Sequence, residues 1–82
     1  MTSLTIFIDG SQYASARELH LALKMLLTLP EHYGCNADAL HDCLSERREP
    51  ANLVVLNDGE GEVAEALRKV RRVFEDCGGE VK

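Results

Sequence analysis

The chain has 82 residues, 45% of them hydrophobic, and its 14 Asp and Glu residues outnumber its nine Lys and Arg residues, for a formal net charge of −5. This length suffices for one domain with a modest core, so we predict a single domain over residues 1–82. The negative charge argues against nucleic-acid binding and attraction to anionic membranes, which need basic surfaces, and it favours a cationic partner.

The N-terminal segment and the cysteines indicate a cytosolic protein. The segment MTSLTIFIDG has a run of only five apolar or β-branched residues and no basic residue before it, so we expect neither a signal peptide nor a membrane span. Cys35, Cys43 and Cys77 leave at least one thiol unpaired in any disulfide scheme, which fits a reducing compartment. Because Cys43 lies well along a helix that Cys35 precedes, these two should not bridge.

The chain begins with a predicted strand and helix. Residues 4–8 (LTIFI) are apolar or β-branched throughout, which is typical of a strand covered on both faces or buried in a parallel sheet. Ser15 and Glu18 have the spacing of a capping box, so a helix should start there. We expect it to end at Leu29, because Pro30 follows. Its inward residues should be Leu19, Ala22, Leu23, Leu26 and Leu27.

A second helix and a second strand follow. Asn36 is the expected N-cap of a helix that continues to about Glu46. Residues 53–56 (LVVL), after the polar link that Pro50 closes, are expected to form a buried strand. The segment NDGEG that follows predicts a turn.

The last predicted helix starts at Glu62, and Gly78 and Gly79 should cap its end. Residues 80–82 leave room only for a short or truncated third strand. The predicted order is therefore β-α-α-β-α-(β), an α/β fold with helices packed on a small three-stranded parallel sheet.

The second helix separates into an apolar and a polar face. At 100° per residue, Leu40, Cys43 and Leu44 fall on one side, while Asp38 and Asp42 fall on the other together with His41 and Ser45. No cation lies at helical reach of the two carboxylates. A solvated helix face and an acidic binding surface both fit this pattern; in either case the Tyr33-Gly34 pair before the helix is expected to be exposed.

Catalytic, metal and cofactor sites are not expected. Nothing around Asp38 and Asp42 would separate their pKa values for acid–base catalysis. Cys43 points to the core, where thiols are usually inert. Zinc is not expected, because His32, Cys35 and Cys43 lack the spacing of a zinc site. The DGEG segment matches no phosphate-binding or dinucleotide motif, so no cofactor is predicted.

Other charged residues have ordinary structural explanations. His20 lies among leucines and is expected to be a satisfied core-edge or surface residue. In the last helix, Arg71 with Glu75 and Arg72 with Asp76 have the spacing of ion pairs, which would explain acids at a helix C-terminus.

Around the second helix the sequence resembles the barstar family of intracellular ribonuclease inhibitors. The segment LPEHYGCNADALHDCL carries the family's motif. The matching residues are Leu29, Pro30, Glu31, Tyr33, Gly34, Asn36, Asp38, Ala39, Leu40, Asp42, Cys43 and Leu44. The resemblance continues more weakly over nearly the whole chain, and it implies the same small parallel sheet with helices packed on it.

The resemblance implies a non-enzymatic protein that blocks the active site of a basic, barnase-like ribonuclease. Asp42 would enter the enzyme's phosphate site with Asp38 beside it. The implied partner-binding residues are His32, Tyr33, Gly34, Asn36, Asp38, His41, Asp42, Ser45 and Asp76. The free protein is expected to be a cytoplasmic monomer that binds neither nucleic acid nor membrane.

Several positions depart from the family's pattern. His32 replaces an aromatic residue, His41 a tryptophan, Cys35 an acid, and Asp76 a glutamate that faces the enzyme. These changes imply a different or more weakly bound nuclease. The alternative is an interaction or immunity module that binds a basic non-nuclease protein or toxin.

Overall fold

The structure is a computed structural model that describes residues 4–82, so the first three residues of the predicted N-terminal segment and domain lie outside the described residues. Its elements are β1 (Leu4–Asp9), α1 (Ala16–Leu27), α2 (Ala37–Ser45), β2 (Ala51–Asn57) and α3 (Gly61–Asp76). One turn of 3-10 helix over Gly10–Gln12 follows β1. The predicted α/β order is confirmed, and the second strand is longer at both ends than predicted.

The sheet has two parallel strands in the described part of the chain. Leu4 of β1 lies opposite Ala51 of β2. Residues 80–82 run along β2, where Leu53 and Val81 form one parallel bridge and the backbone hydrogen bonds measure 2.8 to 2.9 Å. The short third strand predicted at this position is therefore reduced to a single bridge within residues 4–82.

Within residues 4–82, one face of the sheet is covered and the other is largely exposed. Ile6 and Ile8 are 3% and 0% exposed, whereas Phe7 between them is 59% exposed and Leu56 of β2 is 64% exposed. Of the two settings predicted for the first strand, the parallel sheet is confirmed, whereas coverage on both faces is wrong. Apolar and β-branched residues favour a strand whether or not both of its faces are buried, so their presence on both faces did not distinguish the two cases.

The three helices and the covered face of the sheet share one core. Its largest fully buried side chains are Ile8, Leu19, Leu23, Leu40, Leu53, Val63, Leu67, Val70 and Phe74. In α1, however, Leu26 is 45% exposed, against the prediction that it points inward. The buried positions of α1 include His20 instead, because that residue lies on the same stripe as Leu23 and Leu27.

Side-chain and glycine caps fix the helix ends. The Ser15 hydroxyl accepts a hydrogen bond from the Glu18 N–H at 3.2 Å, as predicted. The Glu18 carboxylate accepts one from the Ala14 N–H at 3.1 Å, one residue before the N-cap itself. At the end of α3, Gly78 adopts a φ of 88°, so the predicted glycine cap is confirmed there.

Helix α1 ends at Leu27, two residues before the predicted end at Leu29. Thr28 follows in the left-handed region, with φ 54° and ψ 52°. A β-branched residue is strained in this conformation, which glycine adopts freely. The helix therefore ends before the proline restricts the backbone, through a left-handed cap that the sequence pattern did not indicate.

Replacing Thr28 with glycine is expected to stabilise the protein by about 1 kcal/mol, because it removes the left-handed strain at an exposed position. Thr28→Ala is the matched control, because it also removes the hydroxyl and methyl groups of threonine but keeps the Cβ atom that causes the strain. Urea unfolding of the three proteins checks this expectation. A Thr28→Gly protein no more stable than Thr28→Ala would contradict it.

Candidate protein-binding site

The loop before α2 is tied to the helix by Asn36. Its Oδ1 accepts a hydrogen bond from the Ala39 N–H at 2.8 Å, which confirms the predicted N-cap. Its Nδ2 donates to the Gly34 carbonyl at 3.2 Å. Cys35 between them has a positive φ of 52°. The Asn36 side chain thus fixes the entry into α2, a structural role that the sequence reading did not separate from partner binding.

The two faces of α2 are separated as predicted. Leu40 and Leu44 are 0% and 4% exposed, while Asp38 and Asp42 are exposed to solvent. We call the surface formed by Asp38 and Asp42 the acidic face. Neither carboxylate takes part in an ion pair or a side-chain hydrogen bond within residues 4–82. Their charges are therefore not neutralised within the described structure.

The other predicted partner-binding residues surround this face to different degrees. The exposed ones are His32, Gly34, Asn36, Asp38, His41, Asp42, Ser45 and Asp76. The Ser45 hydroxyl donates to the Asp42 carbonyl at 2.9 Å, within the last turn of the helix. Contact of these residues with a partner stays a prediction.

Tyr33 is buried, so the prediction that the Tyr33-Gly34 pair is exposed is wrong for the tyrosine. Only 7% of Tyr33 is accessible, and its hydroxyl lies 2.7 Å from Nδ1 of His20 on α1. Burial raises the pKa of Tyr33, so the hydroxyl stays protonated and can donate to the imidazole. His20 accordingly has a hydrogen-bond partner, as predicted, but it lies in the core and not at the core edge or on the surface.

The pairing of His20 with Tyr33 could not be predicted from local patterns, because the two residues are thirteen positions apart and belong to different elements. The one available indication was the polar residue on the apolar stripe of α1. A buried histidine needs a hydrogen-bonding partner, and tyrosine is one of few side chains that can bury its ring and supply one.

Asp76, at the end of α3, pairs with Arg72, whose Nε lies 3.5 Å from Oδ1 of the aspartate. This confirms one of the two predicted ion pairs. The other is wrong: Arg71 pairs with Asp58 instead of Glu75. Asp58 lies in the loop before α3, and Arg71 lies in the third turn of that helix. The spacing of residues within the helix could not indicate a pair with a residue outside it.

The end of α3 is held against α2. Cys77 directly after α3 places its Sγ 3.9 Å from the backbone carbonyl of His41. Asp76, the residue before Cys77, is exposed, and its place beside the acidic face stays a prediction.

The Cys43 thiol of α2 is not activated as a nucleophile. Burial raises the pKa of Cys43, and the neighbouring Glu46 and Asp42 charges raise it further, so the thiolate form is disfavoured. Within residues 4–82 no cluster of His, Cys, Asp or Glu is arranged to hold a metal ion. The helices of that same range are all too short or too polar to span a bilayer.

The buried His20 makes stability depend on pH. Burial lowers its pKa below the usual 6.5, so the unfolded chain takes up a proton more readily than the folded protein. The contribution of neutral, buried His20 to the free energy of unfolding is therefore complete above the unfolded-state pKa. It is lost as the pH falls through 6.5 toward the lowered folded-state pKa. We expect the free energy of unfolding, measured by urea denaturation, to decline between about pH 7.5 and 5.5.

The control is His20→Gln, which cannot titrate and should show a shallower decline over the same range. Carboxylates titrate mainly at lower pH and contribute little to this window. Equal slopes for the two proteins would contradict the assignment of the decline to His20.

Comparison with known proteins identifies the family of this chain. The family described as "Barstar (barnase inhibitor)" matches residues 3–82. A relative from Bacillus subtilis (strain 168), named "Putative ribonuclease inhibitor YrdF", is 43% identical over 53 residues. That match covers 63% of this chain and 58% of the relative, so the chain corresponds to little more than half of that protein's length. Because the family match extends over almost every residue of the sequence, the chain belongs to the barstar family.

Proposed function

We propose that this protein inhibits a ribonuclease by covering its active site with the acidic face. The observation that carries the proposal is the pair of exposed carboxylates, Asp38 and Asp42, that lack a cation within residues 4–82. Membership of the barstar family, and a relative named as a ribonuclease inhibitor, support the same role.

The acidic face has the chemistry to replace a phosphate group. A ribonuclease binds RNA phosphates with cationic side chains, and carboxylates form short, charge-assisted hydrogen bonds with the same groups. Asp42, in the middle of α2, is the proposed main contact, and Asp38 lies one turn away on the same side. RNA and inhibitor would then compete for one set of cations.

The face is also held in place before any partner binds. Leu40 and Leu44 fix α2 against the core, and Asn36 fixes its first turn. A helix whose backbone is already fixed loses less conformational entropy on binding, so more of the interaction energy contributes to affinity. The backbone of the site should change little between the free and bound protein.

The partner is proposed to be basic. A net charge of −5 attracts a cationic protein over a distance of several ångströms and raises the association rate at low salt. We further propose that the free protein is a cytoplasmic monomer that binds neither nucleic acid nor membranes.

RNA cleavage by a barnase-like ribonuclease provides the test. Adding this protein is expected to abolish cleavage at about one inhibitor per enzyme, and the association rate should fall as salt is raised from about 0.01 to 0.15 M, where the screening length shortens from about 30 to 8 Å. The absence of inhibition of any barnase-like or genetically linked ribonuclease would contradict the proposal.

The second candidate function, binding of a basic protein that is not a nuclease, can be distinguished from ribonuclease inhibition in the same assay. His41 and Cys35 differ from the family's pattern, and Arg47 and Arg48 place positive charge just after α2. These differences indicate a changed partner, and the alternative is a basic protein or toxin that is not a nuclease. Capture of a basic protein that lacks ribonuclease activity, together with no inhibition of cleavage, would select this alternative.

A further inference from the structure

A buried hydrogen bond joins α1 to the loop before the acidic face. His20 is 4% exposed and Tyr33 7% exposed, and 2.7 Å separates Nδ1 of the histidine from the tyrosine hydroxyl. The other side-chain bond between α1 and this loop, from Lys24 to Glu31 at 3.2 Å, involves a fully solvated carboxylate that is 98% exposed. Exposed ion pairs contribute little, so the buried pair is the main polar anchor of the loop.

The anchor connects directly to the acidic face. Tyr33 precedes Gly34, whose carbonyl accepts from the Asn36 side chain, and that side chain caps α2. Asp38 lies in the first turn that Asn36 caps. A displaced Tyr33 would therefore shift the cap and, with it, the start of the helix that carries both carboxylates.

Protonation of His20 would alter this anchor. A neutral imidazole can accept the tyrosine proton at Nδ1, whereas an imidazolium has protons on both nitrogens. The phenol would then have to turn its own proton elsewhere, and it has no other hydrogen-bond partner within residues 4–82. Proton uptake at His20 thus removes the arrangement in which both groups are satisfied.

The charged groups around His20 do not offset this effect. A groove of about 310 Å³ beside the histidine is lined from the loop by Cys35 and from α3 by Glu62, Glu65 and Lys69. The Glu62 carboxylate accepts from a backbone N–H of α1 at 3.0 Å, and Glu65 pairs with an arginine of its own helix. Both carboxylates are therefore engaged with other groups.

The remaining charges near His20 are basic. Arg17 and Lys24 lie about one turn away from it on α1. Burial lowers the pKa of His20, and none of these charges offsets that lowering.

We infer that His20, acting through Tyr33, is a positioning residue for the acidic face and makes its presentation to a partner dependent on pH. The inference deepens the proposed ribonuclease inhibition and rests on it for its effect on binding. Its structural part, control of the start of α2 by the buried pair, can be measured without a partner.

Amide hydrogen exchange of the free protein tests the structural part. Tyr33→Phe keeps the buried ring and removes only the hydroxyl, so the local opening should become about five- to tenfold more frequent, as expected for loss of one buried hydrogen bond. The informative amides are those of Tyr33, which donates to Pro30 at 3.0 Å, and Ala39, which donates to Asn36. The Val70 amide in the middle of α3 reports changes of the whole domain and serves as the internal control.

Affinity for a barnase-like ribonuclease, measured from pH 7.5 to pH 5.5, tests the effect on binding. Wild type should lose affinity as the pH falls, whereas His20→Gln should show a flatter profile because glutamine can accept a hydrogen bond but does not titrate. His20→Leu should bind more weakly than His20→Gln at every pH. Proton uptake by the enzyme affects all three complexes equally and cancels in the comparison.

The outcomes separate the inference from the proposed function. Faster exchange at Ala39 in Tyr33→Phe, with no inhibition by wild type, would support the anchoring role and contradict the proposed function. Unchanged exchange at Ala39 would overturn the inference whether or not the protein inhibits a ribonuclease. Parallel pH profiles for wild type and His20→Gln would overturn its pH-dependent part.

Discussion

Replacing Asp42 with alanine is expected to weaken binding to a barnase-like ribonuclease by about 2 to 5 kcal/mol, equivalent to roughly 30- to 5,000-fold in Kd. The carboxylate has no partner within residues 4–82, so its removal leaves no internal group unpaired. The loss should therefore arise in the complex, where cations of the enzyme would be buried without a counter-charge. Barnase and barstar are the reference system from which this magnitude is taken.

Glu60→Ala is the matched control for Asp42→Ala. Glu60 is an exposed acid at the start of α3 whose side chain makes no capping hydrogen bond, so the substitution removes the same charge from a different place. It should reduce the association rate slightly through the change in net charge and leave the dissociation rate unchanged. Isothermal titration and stopped-flow binding measure both effects. Equal losses for the two variants would mean that only net charge matters and would contradict a specific role for Asp42.

Replacing Phe74 with alanine is expected to destabilise the fold by about 3 to 5 kcal/mol, because it leaves a cavity in the centre of the core. Phe74 is 0% exposed and is among the largest fully buried side chains of this 82-residue protein. A small domain has only about 5 to 15 kcal/mol of stability, so much of the total would be lost. In thermal unfolding the midpoint should fall by more than about 12 °C.

Phe7→Ala removes the same side chain from the uncovered face of the sheet, where Phe7 is 59% exposed. Its cost should stay below about 1 kcal/mol, since no enclosed cavity forms there. Comparable destabilisation by the two substitutions would mean that the second face of the sheet is covered and would contradict the one-sided core.

Much of the fold follows from local patterns in the sequence. The cap residues Ser15 and Asn36 lie where capping chemistry predicts, and the glycine cap of α3 forms at Gly78. The left-handed conformation of Thr28 could not be predicted in this way, because threonine disfavours it. The tertiary structure imposes this conformation against the residue's own preference. The order of strands and helices was likewise predicted correctly, but the exposure of one face of the sheet was not. Residue type alone does not indicate whether helices pack on one face or on both.

The candidate site divides in the same way. Helical periodicity placed Asp38 and Asp42 on the exposed side of α2, and the structure confirms this. The interior position of Tyr33 and the pairing of Arg71 with Asp58 depend on contacts between elements, which spacing along one element cannot indicate. Long-range packing therefore decided the details that local patterns left open.

The mode of inhibition distinguishes binding at the active site of a ribonuclease from binding elsewhere on the enzyme. If the acidic face occupies the phosphate site of a ribonuclease, inhibition of a barnase-like enzyme must be competitive, and the apparent inhibition constant should rise in proportion to RNA concentration once RNA exceeds its KM. The maximal rate of cleavage at saturating RNA should be unchanged. An inhibition constant independent of RNA concentration would show that the protein binds elsewhere on the enzyme and would contradict occupation of the phosphate site by the acidic face.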